Sequence, residues 1–311
     1  MKGMSSIERQ VEKIFKHTRQ GSFATRARYE NSAKDFARFC ADKFKLQNFK
    51  NVQDKHLIAY AQHRHGQGIA SKTIKNDLAA IRYTHDQVAQ ARHQLSDNQH
   101  LATQGVTLDK TPDVKGNRAW VSPEIEKMKD VAIQQGKVEV ANAIDIARTM
   151  GLRVAEVACM RRSQAEAAIR TGQYQVQNEA KNGKWRIVPV SPEAKAVLEK
   201  QLENVARGER MFVQQGEKAH QVISRWENWL DNHRSKAETL GGQQLRTWTD
   251  HNGLEIQNKI TWHGLRYCYA QERMDQLQRE EKMPFDAAAE VLSKELGHNR
   301  EEVVQIYLGG K

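Results

Sequence analysis

The chain has 311 residues and three cysteines, long enough for two domains that each bury a core without disulfides or structural metal. Cys40, Cys159 and Cys268 are far apart, odd in number and form no CxxC pair, which fits a reducing compartment and three small buried or half-buried thiols better than a disulfide framework or a zinc site. No N-terminal stretch has a signal-peptide core and no apolar run reaches membrane-spanning length, so the sequence predicts a soluble, cytoplasmic protein.

The net charge is +11, and +10 of it falls in residues 1–120. Such asymmetry points to a polyanion partner for the first part of the chain, with an inert basic domain as the alternative. A membrane surface fits less well, because the basic residues do not lie opposite a Trp/Phe/Leu-rich helical face.

Apolar spacing predicts a helix over residues 5–20, with Ile7, Val11, Ile14 and Phe15 on one face. A second spans 25–45, with Tyr29, Ala33, Phe36, Phe39 and Cys40 inward, and two more cover 53–65 and 71–93. Ser71 is placed to cap the last of these, and Ile74, Leu78, Ile81 and Val88 form its inner stripe. The expectation is a basic helical bundle that holds a duplex through phosphate contacts, which give affinity but little sequence information. Residues 95–118 lose periodicity and gather Gly, Pro, Asp and Asn, the composition of a linker with room for a short helix.

A second domain is expected over 118–311. It opens with Ser122-Pro123-Glu124, a helix start with proline in the first turn. Helices are predicted over 122–135 and 138–150, with a break at Gly151. Residues 173–190 give the one clear β signal, two strand-like runs flanking Asn182-Gly183, a dipeptide suited to a type I′ turn. Ser191-Pro192-Glu193 restarts helix to about 205, and further helices fall near 217–234, 263–280, 285–296 and 299–306. The predicted fold class is mainly α with one small β-hairpin sheet: a helical domain, residues 1–117 including the linker, then a mixed α/β domain.

Taken singly, the residues that could carry chemistry each have a bland reading. Arg153 and Glu156 are three apart at a helix start, either a phosphate-binding arginine buttressed by a carboxylate or an ordinary helical ion pair. Lys181 and Lys184 flank the hairpin turn, where a lysine can deliver a proton to a leaving oxygen or merely keep the turn soluble. His263 and Arg266 share a helix face, so one phosphate could meet both; a buried, satisfied histidine is the alternative. His298 follows Leu296-Gly297, and Tyr307 lies nine residues on, where a lone tyrosine is usually a packing residue. No motif indicates NTP hydrolysis, a zinc site or two-metal nuclease chemistry, and His63 with His65 fits a solvated basic face.

Together these residues resemble the active site of tyrosine recombinases, the phage-type integrases and Xer-like site-specific recombinases. TMGLRVAEVACM is similar to the family's first arginine box through Arg153, with Glu156 as its acidic neighbour. AKNGKWRIVPVS resembles the β-hairpin box, and its R-x-V-P end places Lys181, rather than Lys184, at the catalytic lysine. HGLR corresponds to the His-x-x-Arg box through His263 and Arg266, LGH to the next box through His298, and the step to Tyr307 matches the family's interval. The resemblance covers 118–311 by motif and 1–117 as a basic helical core-binding domain. Two departures stand out: only LGGK follows Tyr307, and RRSQAEAAIRTG replaces the usual W-x-D-I segment.

The resemblance implies metal-free, ATP-independent strand cleavage and transfer, with no cofactor. Arg153 and Arg266 would neutralise the phosphodiester oxygens while Tyr307 attacks in line. Because a phenol has a reference pKa of about 10, a base is needed, and His263 is the candidate, with His298 helping. Lys181 would protonate the departing 5′ oxygen, leaving a 3′-phosphotyrosyl link. The implied partners are double-stranded DNA clamped between the two domains, a homo-tetramer on paired sites, and possible accessory DNA-bending or directionality factors. The implied location is the cytoplasm, with the nucleoid, and the implied task is integration or excision of a mobile element. The competing expectation is a catalytically inactive, regulatory DNA-binding protein on the same fold.

Overall fold

The computed structural model describes residues 4–19, 21, 23–109, 116–177, 185–250, 253–298 and 302–309. The chain divides into two compact units, Met1–Pro112 and Asp113–Lys311.

The first unit is helical: α1 (Ser6–His17), α2 (Phe23–Phe44), a 3₁₀ turn (Phe49–Asn51), α3 (Asp54–Gly66), α4 (Ser71–Asp86) and α5 (Asn98–Thr103). A capping box starts α1, where the Glu8 carboxylate accepts the Ser5 N–H at 2.9 Å and the Ser5 hydroxyl accepts the Glu8 N–H. The stripe Ile7, Val11 and Phe15 is buried, as are Ala33, Phe36 and Cys40 of α2 and Ile74, Leu78 and Ile81 of α4. These meet in one core, each large side chain contributing about 1.5–3 kcal/mol by leaving water.

Two expectations for this unit are corrected. Helix α4 ends at Asp86 rather than 93, because the chain turns there and Gln90 takes a left-handed φ of 56°. Ser71 is the first helical residue, not the cap; its hydroxyl accepts the Asp109 N–H and donates to the Asp109 carboxylate at 3.0 Å, tying helix start to segment end.

The second unit contains α6 (Ser122–Gln134), α7 (Val138–Met150), α8 (Val154–Cys159), α9 (Arg162–Thr171), β1 (Gln173–Val176), β2 (Arg186–Pro189), α10 (Pro192–Leu202) and α11 (Ala219–Ala237). It continues with α12 (Leu240–Leu245), β3 (Thr247–Thr249), β4 (Glu255–Gln257), α13 (Trp262–Arg279), α14 (Phe285–Leu296) and α15 (Glu302–Tyr307). Strands β1 and β2 pair antiparallel with Tyr174 opposite Val188. A second two-stranded sheet, β3 with β4, corrects the expectation of a single hairpin. The segment that departs from W-x-D-I is helix α9. Helix α7 buries Val140, Ile144, Ala147 and Met150 and packs on α6, α10 and α13. Helix α13 is buried around most of its first three turns, the signature of a central helix.

A buried ion pair fixes the approach to α13. Glu124 and Arg246 are both wholly inaccessible, and the guanidinium meets the carboxylate in two parallel contacts of 2.5 and 2.8 Å. Arg246 also donates to the carbonyls of Ala119 and Asn258. Burial alone would raise the Glu124 pKa; the Arg246 hydrogen bond and charge, together with the Thr239 and Val121 backbone N–H donors, outweigh it and hold the carboxyl below its usual range. Gly264 completes the packing, since a Cβ there would strike the Arg118 carbonyl and, at 2.7 Å, the Trp120 ring.

All three cysteines are free, Cys40 and Cys268 buried and Cys159 half-buried. Among the described residues no helix is long and apolar enough to cross a membrane, and no cluster of His, Cys, Asp and Glu could hold a metal ion.

Candidate active site

The site begins where α7 ends. Gly151 caps that helix with a left-handed φ of 58°, and a Cβ there would collide with the Tyr269 ring, so glycine is required twice over. The chain then turns at once into α8, whose N-cap is Arg153. Glu156, one turn on, accepts the Arg153 N–H at 2.8 Å and its Nη1 donor at 2.8 Å. On its other side the same carboxylate takes Nη1 and Nη2 of Arg186, from β2, at 2.9 and 2.6 Å. Burial pushes Glu156 upward, but the Arg186 hydrogen bond and charge, then Arg153, overcome it and bring the pKa to about 2. The carboxylate is therefore fixed as an anion between two guanidiniums.

Arg186 was not foreseen from the sequence. Its signal lies in the strand's alternation, in which Arg186 and Val188 are buried while Ile187 is 53% exposed. An arginine on the inward face of a strand needs a buried acceptor. Here Glu156 supplies it, and the Glu295 carbonyl takes Nε at 2.8 Å.

The first turn of α13 contributes His263 and Arg266. Arg266 is wholly buried. Its Nη1 donates to the Gly151 carbonyl at 2.5 Å, its Nη2 to the Leu296 carbonyl, and its Nε to the Tyr307 hydroxyl at 3.4 Å. Burial, with Arg153 and Arg186 nearby, pushes its pKa down to about 10, against the favourable influence of Tyr307 and Glu156. A guanidinium has five N–H donors; these three contacts leave two. Arg153, His263 and Arg266 line one cavity of about 550 Å³ with Thr261, Trp262 and Asp231.

Gly297 ends α14 in a left-handed conformation, φ 67°, and hands the chain to His298. The His298 imidazole Nε2 lies 3.1 Å from the Tyr307 hydroxyl. Burial first, and then Arg266, Arg153 and Arg186, depress the His298 pKa to about 4, so the imidazole is neutral at pH 7 and able to accept a proton. Helix α15 presents Tyr307, 5% exposed, and Gln271 Nε2 anchors its backbone carbonyl at 2.9 Å. The Tyr307 ring packs between Tyr267, centroids 4.8 Å apart, and His298 at 5.5 Å, with His263 at 5.7 Å.

Five of the residues singled out from the sequence, together with Glu156, thus converge from α8, α13, the end of α14 and α15. Lys181 and Lys184 lie outside the described residues. His263 meets Tyr307 ring to ring, whereas the hydrogen bond to the phenol comes from His298, the imidazole given the lesser role on sequence grounds. Tyr267 was also missed, because a tyrosine beside a buried arginine reads as packing.

The profile of the phage integrase family matches residues 122–309, and that of the phage integrase N-terminal domain matches residues 4–96. A comparison with curated protein sequences gives no match. Among solved structures, the Tn1549 transposon integrase in complex with a circular intermediate DNA aligns at 14% identity and TM-score 0.58, over 98% of this chain and 95% of that one. A λ integrase dimer bound to a core site aligns at 16% identity and TM-score 0.61, over 96% and 94% of the two chains. A λ integrase tetramer bound to a Holliday junction gives 16% identity and TM-score 0.63, over 96% and 76%.

Proposed function

From the premise that this chain belongs to the phage integrase family and is a site-specific tyrosine recombinase, we propose that Tyr307 is the residue that joins it covalently to DNA. The observation that carries the reading is the double engagement of the Tyr307 hydroxyl, by His298 Nε2 at 3.1 Å and by Arg266 Nε at 3.4 Å. A phenol that served only as packing would not need both a neutral imidazole and a guanidinium at its oxygen.

In this scheme the scissile phosphate enters the cavity lined by Arg153, His263 and Arg266. The guanidiniums of Arg153 and Arg186 flank the carboxylate of Glu156, and Arg266 lies within reach of its charge; three cations gathered round one buried anion suit a phosphoryl transition state. Tyr307 attacks phosphorus and passes its proton to His298. The bond to the 5′ oxygen breaks, Lys181 supplies the proton to that oxygen, and a 3′-phosphotyrosyl link remains. His263 steadies a non-bridging oxygen. Glu156 and Arg186 act through Arg153 by holding it in place. Rejoining reverses these steps with a new 5′ hydroxyl, so neither metal nor ATP enters.

The basic first unit supplies phosphate contacts to double-stranded DNA. The λ integrase tetramer on a Holliday junction and the Tn1549 complex with a circular intermediate support a homo-tetramer on paired sites and a task in the integration or excision of a mobile element. Accessory bending or directionality factors, and residence in the cytoplasm with the nucleoid, belong to the same reading. The test is a nicked suicide duplex recovered from a random-sequence pool by the protein itself. Wild type gives a protein–DNA species on a denaturing gel and Tyr307→Phe gives none; an equal yield from both would overturn the assignment.

A further inference from the structure

One cation beside the site takes no part in the scheme above. Arg118 lies in the extended segment that precedes α6. Its carbonyl packs against Gly264, next to His263 at the start of α13, and the neighbouring Trp120 is anchored there through Thr261 and Cys268. The backbone at this point is therefore held rigidly against the helix that carries His263 and Arg266. The side chain, by contrast, has no carboxylate or other hydrogen-bond acceptor among the described residues, and its Nε is buried with no partner. Its charge is felt by the phenol of Tyr267, where it opposes the effects of burial and of Tyr307. Tyr267 in turn packs tilted against Tyr307, centroids 4.8 Å apart, and edge-on against His263 at 5.6 Å. Arg118 thus stands one aromatic ring away from the residue proposed as nucleophile. Arg118 as a whole is half-buried, whereas two fully packed guanidiniums nearby are spent on protein acceptors, Arg186 on Glu156 and Glu295 and Arg246 on Glu124.

A buried guanidinium N–H without an acceptor is disfavoured unless a ligand supplies one. The ligand that comes within reach of Tyr307 is a DNA strand, whose phosphates follow one another every 3.4 Å or so of helix rise. We propose that Arg118 binds a backbone phosphate next to the scissile one, on the same strand, and so sets the register in which the scissile phosphate meets Tyr307. The inference rests on the reading of Tyr307 as nucleophile. Arg118 is a positioning residue for the reaction, since it touches neither Tyr307 nor the reacting phosphate. Arginine suits the task because its planar fork can take two oxygens of one phosphate.

The test is an interference scan on the suicide duplex, with one phosphate at a time around the cleavage point replaced by a neutral methylphosphonate. The yield of covalent species is measured for wild type, Arg118→Gln and Arg118→Lys. In wild type, neutralising one particular flanking phosphate lowers the yield roughly ten- to a hundredfold, the scale of a charge-assisted hydrogen bond. Arg118→Gln on the natural duplex shows the same loss, and in that variant the same methylphosphonate has no further effect. Arg118→Lys restores part of the yield and the sensitivity. An identical interference pattern in wild type and Arg118→Gln overturns the inference while leaving Tyr307 as nucleophile untouched. Absence of any covalent species from wild type overturns both readings together. The Gln variant keeps the backbone carbonyl that packs on Gly264, and an unchanged melting curve separates lost phosphate binding from lost folding.

Discussion

Replacing Glu156 by glutamine removes the one negative charge between Arg153 and Arg186 while keeping nearly the same volume. The carboxylate is 1% exposed and accepts from both arginines and from the Arg153 backbone. A glutamine can keep one acceptor oxygen, but its NH₂ then faces the guanidinium of Arg186, itself only 8% exposed, which is left buried without a counter-charge. Two estimates of the cost agree. A carboxyl held at about 2 rather than its ordinary 4.5 corresponds to about 3 kcal/mol in favour of the folded state at neutral pH. Breaking a buried ion pair by removing one partner costs about 3–5 kcal/mol. For a unit of this size that is a fall in melting temperature of roughly 6–20 °C.

The pH dependence gives the argument its sign. The folded-state pKa of Glu156 is depressed, so its contribution is fully present above about pH 4.5 and disappears as the pH falls through that value toward 2. Urea unfolding of wild type and Glu156→Gln, followed by tryptophan fluorescence at pH 7 and at steps down to pH 3, should show a gap that is wide at pH 7 and narrows in acid. A gap under 1 kcal/mol at pH 7, or one that stays constant down to pH 3, would refute the reasoning.

Arg266→Lys keeps the charge but cannot reach the Gly151 and Leu296 carbonyls and the Tyr307 hydroxyl at once. Covalent-complex formation should fall at least a hundredfold on a suicide duplex with native-gel binding nearly intact; wild-type cleavage would contradict this. Gly151→Ala forces a left-handed φ on a residue with a Cβ and drives that Cβ into the Tyr269 ring, so denaturant melts should show a loss of about 2–4 kcal/mol; a loss below 0.5 kcal/mol would be inconsistent with the packing. His298→Asn should slow cleavage about 10²–10⁴-fold. In wild type the acid limb of the cleavage rate at low DNA concentration should fall near pH 4, where neutral His298 is lost, and a limb at the ordinary histidine value of 6.5 would count against His298 as proton acceptor.

Much of this site was legible before any coordinates. The spacing of Ile7, Val11 and Phe15 and of Ile74, Leu78 and Ile81 gave the helices of the first unit, because one buried face imposes a 3.6-residue period. The proposed catalytic residues were legible as an ordered set of short motifs, although no single member exceeded its bland reading. What escaped depends on long-range partners. Arg186 became meaningful only when β2 laid it against Glu156, thirty residues away in sequence. The β3–β4 hairpin has three-residue strands, Thr247–Thr249 and Glu255–Gln257, neither showing an apolar alternation long enough to read. The end of α4 was overrun because Val88 continues the apolar stripe although the backbone has already turned; it packs on the core from outside the helix. The different contacts of His263 and His298 with Tyr307 were likewise invisible, since both lie in motifs that resemble the family's and only distance separates a hydrogen bond from a ring contact.

The central claim is that the Tyr307 oxygen forms the bond to DNA, and the measurement that tests it most directly is mass spectrometry of the trapped complex. After nuclease trimming and proteolysis, the account predicts a nucleotide remnant on the peptide containing Tyr307 and on no other. A remnant on Tyr267, whose ring lies 4.8 Å from that of Tyr307, or on any other residue would contradict it.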